Sequence, residues 1–315
     1  MKEVLTFGET MVLFNPQASG PLRFVEGFSK SIGGADSNVA IALARLGHDA
    51  GWFSKVGDDE FGRYIKNTVR GEGVDVSRLK VDKGASTGIL FKERVNNANP
   101  NVYYYRAGSA ASRLAVEDLD VEYIKDTKII HITGITPALS ESCRETVFKV
   151  LEIAKENGIT ISFDPNIRLK LWTLEEARPV LLKIAEMSDI IFPGIEEGEI
   201  LLGLDNEKEI SEKFLEMGCK TVVVKLGEKG CYVATKAEKE YIQGFQVATE
   251  DTVGAGDGFA AGFLSGVLKN LSVRECGIQG NAVGAMATLV KGDMEGYPYY
   301  DQLMAFMGNK KGIDR

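Results

Sequence analysis

The sequence predicts an α/β fold in three layers: a mostly parallel central sheet with helices on both faces, and a small β-sheet set apart from it. Two observations predict the main layers. Short apolar runs alternate with helical patterns through most of the chain, and the runs lack the polar alternation of a strand with one wet face. A third observation predicts the small sheet. Val12–Gly27 and Thr87–Arg106 have no helical period and alternate aromatic, apolar and polar residues around turn signals. Each reads as a pair of β segments. With 315 residues, 44% of them hydrophobic, the chain can bury a large core. No internal repeat or low-complexity linker divides it, so residues 1–315 read as one domain with residues 12–27 and 87–106 as its lid.

Taken in order, Met1–Gly8 reads as a first strand rather than a leader. Asn15-Pro16 marks the turn of the first lid segment. Asp36 or Ser37 is placed to cap a helix over Asn38–Leu46, and Gly47 to stop it. The second lid segment turns at Asn96-Asn97-Ala98-Asn99-Pro100. Ile129–Thr133, Ile159–Phe163, Ile190–Phe192 and Thr221–Lys225 read as buried strands. Ser142 with Glu145, and Thr173 with Glu176, have capping-box spacing; Gly158 follows the first of these helices and Ala177–Met187 continues the second. The charged residues from about Gly308 read as a frayed end.

Composition narrows the function. Lys plus Arg number 37 against 45 Asp plus Glu, a net charge of −8. That argues against nucleic acid or an anionic membrane as the main partner, while a local basic pocket can still take an anionic substrate. No run approaches the roughly 18 apolar residues of a membrane helix. The four cysteines, Cys143, Cys219, Cys231 and Cys276, lie far apart without a Cys-x-x-Cys, as buried thiols in a reducing cytoplasm do. Of the two histidines, His131 sits in an apolar run and reads as a core residue. Acid–base chemistry therefore falls to carboxylates.

The most telling stretch is Asp251-Thr-Val-Gly-Ala-Gly-Asp257-Gly-Phe259. A turn of small residues leads into a helix whose first turn carries Asp257. Amides at a helix start lack intrahelical partners and sit at the positive end of the dipole, so they suit an anion. A carboxylate beside an anion cradle suggests phosphoryl transfer to a hydroxyl. No Gly-Lys-Ser or Gly-Lys-Thr is present for a Walker loop, and Phe259 occupies the third glycine of a dinucleotide fingerprint. A plain helix-capping turn is the competing reading of this run alone.

Gly33-Gly34-Ala-Asp-Ser-Asn38 before a helix, with Asp251–Phe259 later in the chain, resembles the two signatures of the ribokinase-like (PfkB) carbohydrate kinases. The likeness extends over essentially the whole chain. It implies a ribokinase-like fold and ATP-dependent phosphorylation of a sugar hydroxyl. By the same likeness Asp257 is the catalytic base, and the amides of Gly254, Ala255 and Gly256 form the anion hole. An ordinary Asp, with a pKa of about 3.9, is ionised at pH 7. Lys225-Leu-Gly227-Glu-Lys-Gly230 resembles the nucleotide loop, and Asn281 in Gly280–Ala285 a position near the adenine. A plain inter-strand turn and close helix packing are the other readings of these two. Asn166, Arg168 and Gly194 join them on the nucleotide side. Relatives often have Asn-x-x-Glu where this chain has Gly194-Ile-Glu-Glu197, which implies Glu197 as a Mg²⁺ contact through water. The family further implies a monovalent cation (K⁺) near Asp251.

Tyr104 and Arg106 share a face if the lid strand is extended, and Arg168 follows a core strand at the end where α/β sheets bind ligands. Two guanidiniums suit a carboxylate; alternatively Arg168 serves the ATP phosphates and Arg106 is a solvated lid residue. Tyr-Tyr-Arg-Ala-Gly-Ser-Ala with Asp-Pro-Asn-Ile-Arg is similar to the family members that phosphorylate 2-keto-3-deoxygluconate at its terminal C6 hydroxyl. That likeness implies sugar contacts from Gly34, Asn38, Tyr104, Arg106, Arg168, Asp257 and Asp293. Some relatives have Tyr at the position of Leu90, so the substrate contact there is altered and tolerance for other sugar acids is wider. Competing functions are a fructokinase-like activity, a kinase for a deoxy-keto acid of inositol breakdown, a catalytically dead sugar-binding regulator and a nucleoside kinase. The lid's exposed face implies a homo-oligomer, a dimer at least.

Overall fold

The computed structural model describes residues 1–95 and 101–308; the turn expected over Asn96–Pro100 and the tail beyond Gly308 lie outside them. The first part of the chain forms β1 (Lys2–Phe7), β2 (Met11–Pro16), β3 (Phe28–Gly33), α1 (Ala35–Arg45), β4 (Ala50–Phe53), β5 (Lys55–Gly57), α2 (Glu60–Gly71), β6 (Lys80–Asp82), β7 (Ile89–Glu93) and β8 (Asn101–Tyr105). The middle forms α3 (Val121–Lys125), β9 (Thr127–Thr133), α4 (Glu141–Glu156), β10 (Thr160–Asp164), α5 (Leu174–Glu186), β11 (Ile190–Ile191), α6 (Ile195–Leu202) and α7 (Glu207–Met217). The last part forms β12 (Thr221–Lys225), β13 (Gly230–Thr235), β14 (Lys239–Gln243), α8 (Ala255–Leu268), α9 (Val273–Ala287) and α10 (Tyr300–Phe306).

Eight strands make the large sheet in the order β14-β13-β12-β11-β10-β9-β1-β4. It is parallel from β4 to β12, and the β12-β13-β14 edge is antiparallel. Alternate side chains feed two cores, as period-2 geometry requires. Val4, Ile129 and Val223 face α1, α8 and α9, while Leu5, Ile130, Val222 and Val224 face α4, α5 and α7. These two faces explain the continuous apolar runs. The chain order reverses at β1, which has β4 on one side and β9 on the other. In open α/β sheets ligands bind beyond the carboxyl ends of strands at such a reversal.

The small sheet runs β3-β2-β7-β8. Its first pair is Met11–Pro16 with Phe28–Gly33, so the second strand of the pair lies after Gly27 and leads directly into α1. The lid therefore extends beyond the expected boundary, and a 3-10 turn at Leu22–Phe24 occupies the interval. Phe14 stacks on Phe91 at 4.8 Å, with Phe28 edge-on to both, so the sheet has an aromatic core of its own.

Two helix starts differ from expectation. Ser140, not Ser142, caps α4, its Oγ accepting from the Cys143 amide at 3.1 Å. α1 begins at Ala35 behind Gly34, with Asp36 and Ser37 inside its first turn. Asp36 does not cap because it lies inside the helix beyond Gly34, where its Oδ2 accepts from Thr133 and Thr136. The Thr173–Glu176 capping box before α5 forms as expected. The four cysteines are buried free thiols. His131 is buried against Ser162, and burial pushes its pKa down to about 4, so it stays neutral in the core. Among the described residues no helix is long and apolar enough to cross a membrane.

Candidate active site

The site gathers where α1 and α8 meet the carboxyl ends of β1, β9, β10 and β12. Gly34 makes the first approach possible. A side chain there would run into the Glu9 carbonyl and the Thr10 backbone, so only glycine lets the start of α1 lie on the β1–β2 connection. Thr10 and Ser37 then join through their hydroxyls at 2.7 Å. This seating aims Asn38 at α8, and its Nδ2 donates to Oδ2 of Asp257 at 2.8 Å, across 219 residues of sequence.

Asp257 lies in the first turn of α8, behind Gly254. Gly254 has φ of 78°, and a side chain on it would strike the Asp293 carbonyl oxygen. Tyr297 holds the turn by donating from its hydroxyl to the Gly254 carbonyl at 2.9 Å. Of the three amides expected to form an anion hole, Ala255 already donates to the Thr252 carbonyl at 3.3 Å. The amides of Gly254 and Gly256 have no hydrogen-bond partner among the described residues. A cation completes the cradle: Lys225 Nζ is 3.8 Å from where a Gly256 Cβ would be.

Lys225 ends β12 and is held by a buried charge network. Its Nζ donates to Asp164 Oδ2 at 2.6 Å. Burial alone would lower its pKa, yet Asp164 and Glu197 carry it above the ordinary value, so the ammonium persists. Glu197 accepts from the amides of Gly194 at 2.8 Å and Ile167 at 3.1 Å, and burial pushes its pKa up against the pull of Lys225. Gly194, which replaces the expected Asn, supplies a backbone donor rather than a side chain. Asn166 sits at φ of 37° and donates its amide to Asp164 Oδ1 at 3.1 Å. That left-handed residue turns the chain out of β10 towards Arg168. Arg168, Gly194, Glu197 and Lys225 line one face of a cavity of about 660 Å³. A second cavity, of about 450 Å³, lies between the Gly227–Gly230 turn, Gly256 and Asn281. Asn281 donates to the carbonyls of Ile242 and Gln243 at 3.1 and 3.2 Å. The small residues of α9 serve packing as well: a side chain at Gly280 would crowd Phe259.

One expectation about Asp257 is overturned. Burial pushes its pKa up to about 7, with Asn38, Arg168 and Lys225 opposing and Asp164 adding to the rise. It is therefore a base poised near neutrality rather than an ordinary ionised Asp. Asp36, behind it, is pushed up to about 8 by burial and by the charge of Asp257. The sequence offered Asp36 only as a helix cap; nothing in the local pattern shows that Thr133 and Thr136 come to it from β9.

The lid side holds a second surprise. Arg106 is neither solvated nor free. Its Nε lies 2.6 Å and its second nitrogen 2.5 Å from the same oxygen of Glu9, and Ser109 Oγ donates to the other oxygen at 2.5 Å. Glu9 is buried at the end of β1, and no motif flagged it. Arg106 also lies over Tyr104 at 5.6 Å, as their shared face predicts. Arg168 lines the first cavity beside Lys225, so the two arginines have different surroundings. Lys170, two residues after Arg168, reaches the lid at the Val102 carbonyl, 3.4 Å away. Leu90 pairs with Tyr104 in the small sheet but packs against Met11 and Leu13. Asp293 faces Gly33 on one side and accepts from Lys92 at 2.9 Å on the other.

The model of the pfkB family carbohydrate kinases matches residues 1–299. The chain belongs to that family. The kinase is 41% identical over 315 residues to the 2-dehydro-3-deoxygluconokinase of Bacillus subtilis (strain 168), covering 99% of this chain and 97% of the relative. It is 37% identical to the enzyme of the same name from Thermoproteus tenax, covering 95% and 92%. Among solved structures, an E. coli protein assigned as ribokinase II, in complex with ATP and Mg²⁺, superposes with a TM-score of 0.91 at 27% identity, covering 98% and 100%. A double mutant of the fructokinase from Vibrio cholerae O395, bound to fructose, ADP and potassium, superposes with a TM-score of 0.86 at 28% identity, covering 97% and 98%. The kinase is thus a phosphotransferase acting on an alcohol group of a carbohydrate, on the ribokinase-like fold that the sequence predicts, and its neighbours bind nucleotide with a metal ion.

Proposed function

We propose that this kinase transfers the γ-phosphoryl group of ATP to the C6 hydroxyl of 2-keto-3-deoxygluconate, giving 2-keto-3-deoxy-6-phosphogluconate and ADP. The observation that carries the reaction is the Asn38–Asp257 pair at the start of α8, 2.8 Å apart. Asn38 fixes one carboxylate oxygen and leaves the other for the sugar hydroxyl. The hydroxyl oxygen bonds to phosphorus as the bond to the ADP oxygen breaks, and the proton passes to Asp257. The transition state is loose, so positioning and charge stabilisation carry most of the rate. Charge building on the phosphoryl oxygens meets the Gly254 and Gly256 amides and Lys225, which are in place before the reaction starts.

The nucleotide belongs in the 450 Å³ cavity, with its adenine beside Asn281 and its phosphates running past Gly227 and Gly230 to Gly256. Among the described residues no group of three acidic or sulfur and imidazole ligands stands ready for a metal. That suits Mg²⁺, which binds through one or two carboxylates plus substrate phosphates rather than in a protein cage. Glu197 and Asp164 would hold it, Glu197 through water, and Mg²⁺ would supply charge neutralisation between the phosphates. Buried free thiols fit a cytoplasmic enzyme.

The sugar acid is assigned from the lid and the relatives together. Arg106, aimed by Glu9, takes the carboxylate, with Tyr104 alongside; Arg168 stands between the sugar and the phosphates, and Gly34 and Asp293 complete the wall. A coupled ADP-release assay over a sugar panel tests this. The keto-deoxy acid should exceed fructose in kcat/KM by about 10² or more, because a neutral sugar cannot make the charge-assisted hydrogen bond to Arg106 that the acid's carboxylate makes. Fructose turned over faster than the acid would sink the assignment. With Leu90 packed inside the lid, related sugar acids should be accepted within about 10-fold, as expected where no hydrogen bond is there to reject them.

In the lid, Phe24 in the turn between β2 and β3 and Tyr105 at the end of β8 are more than 60% exposed. We assign these exposed aromatics of the lid to a homodimer contact. Sedimentation velocity should show a species of twice the chain mass, and a monomer at all concentrations would refute it.

A further inference from the structure

Asp251 opens the run that forms the anion cradle, and its side chain is only 7% exposed. Asp293 lies close by, 12% exposed. Two carboxylates in so dry a place need a counter-charge. The family resemblance points to a monovalent cation here, but the protein brings cations of its own. Lys92, in β7 of the small sheet, is 3% exposed, and its Nζ lies 2.9 Å from Asp293 Oδ1 and 3.9 Å from Asp251 Oδ2. Arg94, two residues on, donates to the same Asp251 oxygen at 3.4 Å. A free cation beside Asp251 would meet an ammonium and a guanidinium at close range, and like charges repel strongly where water is scarce.

The carboxylates also shape the cradle. Asp251 Oδ1 accepts from the Val253 amide at 3.2 Å, inside the turn itself. The Asp293 carbonyl packs against Gly254, and the Asp293 carboxylate packs against Gly33 of the first glycine motif. Whatever neutralises this pair therefore steadies the Gly254–Gly256 turn from behind.

We propose that Lys92 is a tethered counter-ion, a positioning residue that takes the part of a monovalent cation behind the anion cradle, so that this kinase needs no added potassium. The inference rests on the kinase reading above for its catalytic consequence, but not for the ion pair itself. It also ties the lid to the phosphoryl site, because the ammonium is carried on a lid strand that pairs with Tyr104 and its neighbours.

The test is a salt series on the whole enzyme at constant ionic strength. With potassium, sodium or tetramethylammonium chloride, wild-type kcat should stay within about two-fold, since no differential binding of the ion is available to raise it. A potassium activation of about ten-fold or more would overturn the inference. Lys92→Met should lose at least about ten-fold in kcat in tetramethylammonium and recover most of it in potassium or ammonium, with little change in KM for ATP. A loss that no small cation rescues would show that Lys92 is not standing in for one. A readout without turnover separates this from the kinase assignment. The ligand-free wild type should melt at the same temperature in potassium and tetramethylammonium, because an ion that binds only the folded state raises Tm. A wild-type Tm that climbs with potassium overturns the proposal even if Lys92→Met fails to fold. Failure to phosphorylate any sugar in any salt would instead overturn the kinase assignment and leave the melting result to decide this one.

Discussion

Asp257→Asn is expected to lower kcat by about 10²–10⁴, the range for loss of a general base, with KM for ATP little changed. The amide keeps the shape, and its oxygen can still accept from Asn38, but it cannot take the hydroxyl proton. Wild-type turnover in the variant would remove Asp257 from the mechanism. The same group sets the pH profile. With burial holding Asp257 at about 7 in the free protein, kcat/KM should fall on the acid side with an apparent pKa near that value. An acid limb near pH 4 would mean that the carboxylate is solvated in solution.

Stability should move the opposite way. Asp257 is raised from 3.8 to about 7, and Asp36 to about 8. Between those limits the folded protein holds protons that the unfolded chain has released, so stability falls as pH rises. The contribution is whole below pH 3.8 and is lost as pH passes 7 to 8. Asp257→Asn, which never ionises, should therefore melt higher than wild type at pH 8 and nearly equal to it at pH 4. A site that weakens the fold at working pH while carrying the activity is a familiar exchange of stability for function. Equal Tm differences at both pH values would refute the buried ionisation.

Much of this was legible in the chain. Period and glycine placement gave the parallel sheet, the two glycine motifs and the helix carrying Asp257, because these features are local and each is dictated by backbone geometry. Asn38 could be named, yet its bond to Asp257 joins residues 219 apart and depends on how α1 seats against Glu9 and Thr10. The missed residues share one character. Glu9 and Lys92 are charged side chains without a motif, Asp36 reads in the sequence only as a helix cap, and each gains its meaning from a partner on another element. The misjudged pKa of Asp257 has the same origin. Burial is a property of the assembled fold, and a first-turn Asp in a glycine run carries no local sign of it. The lid boundary failed for a simpler reason: the expected segment ends at Gly27, whereas the second strand of the pair begins only at Phe28, and the Gly33-Gly34 pair that ends it reads as part of the motif before α1.

Arg106→Ala should raise KM for the sugar acid by about 10²-fold and leave KM for ATP within about three-fold, because truncating one member of a buried charge pair typically costs 2–5 kcal/mol and, of the two substrates, only the sugar loses a contact. The wild-type pair is tight, with Glu9 wholly buried and Arg106 at 10% exposure. Removing the guanidinium leaves Glu9 with Ser109 as its remaining donor, so the variant should also melt lower. Those two effects can be separated. Glu9→Gln alone keeps Arg106 but loosens its aim, and should raise KM for the acid by less than Arg106→Ala does. In the double variant no buried charge is orphaned, so Tm should recover part of the loss while KM for the acid stays high. Recovery of both together would make the pair merely structural. Persistence of the KM effect after the stability returns would instead tie the guanidinium to the substrate carboxylate, since the fold is then repaired and only the ligand is missing its partner.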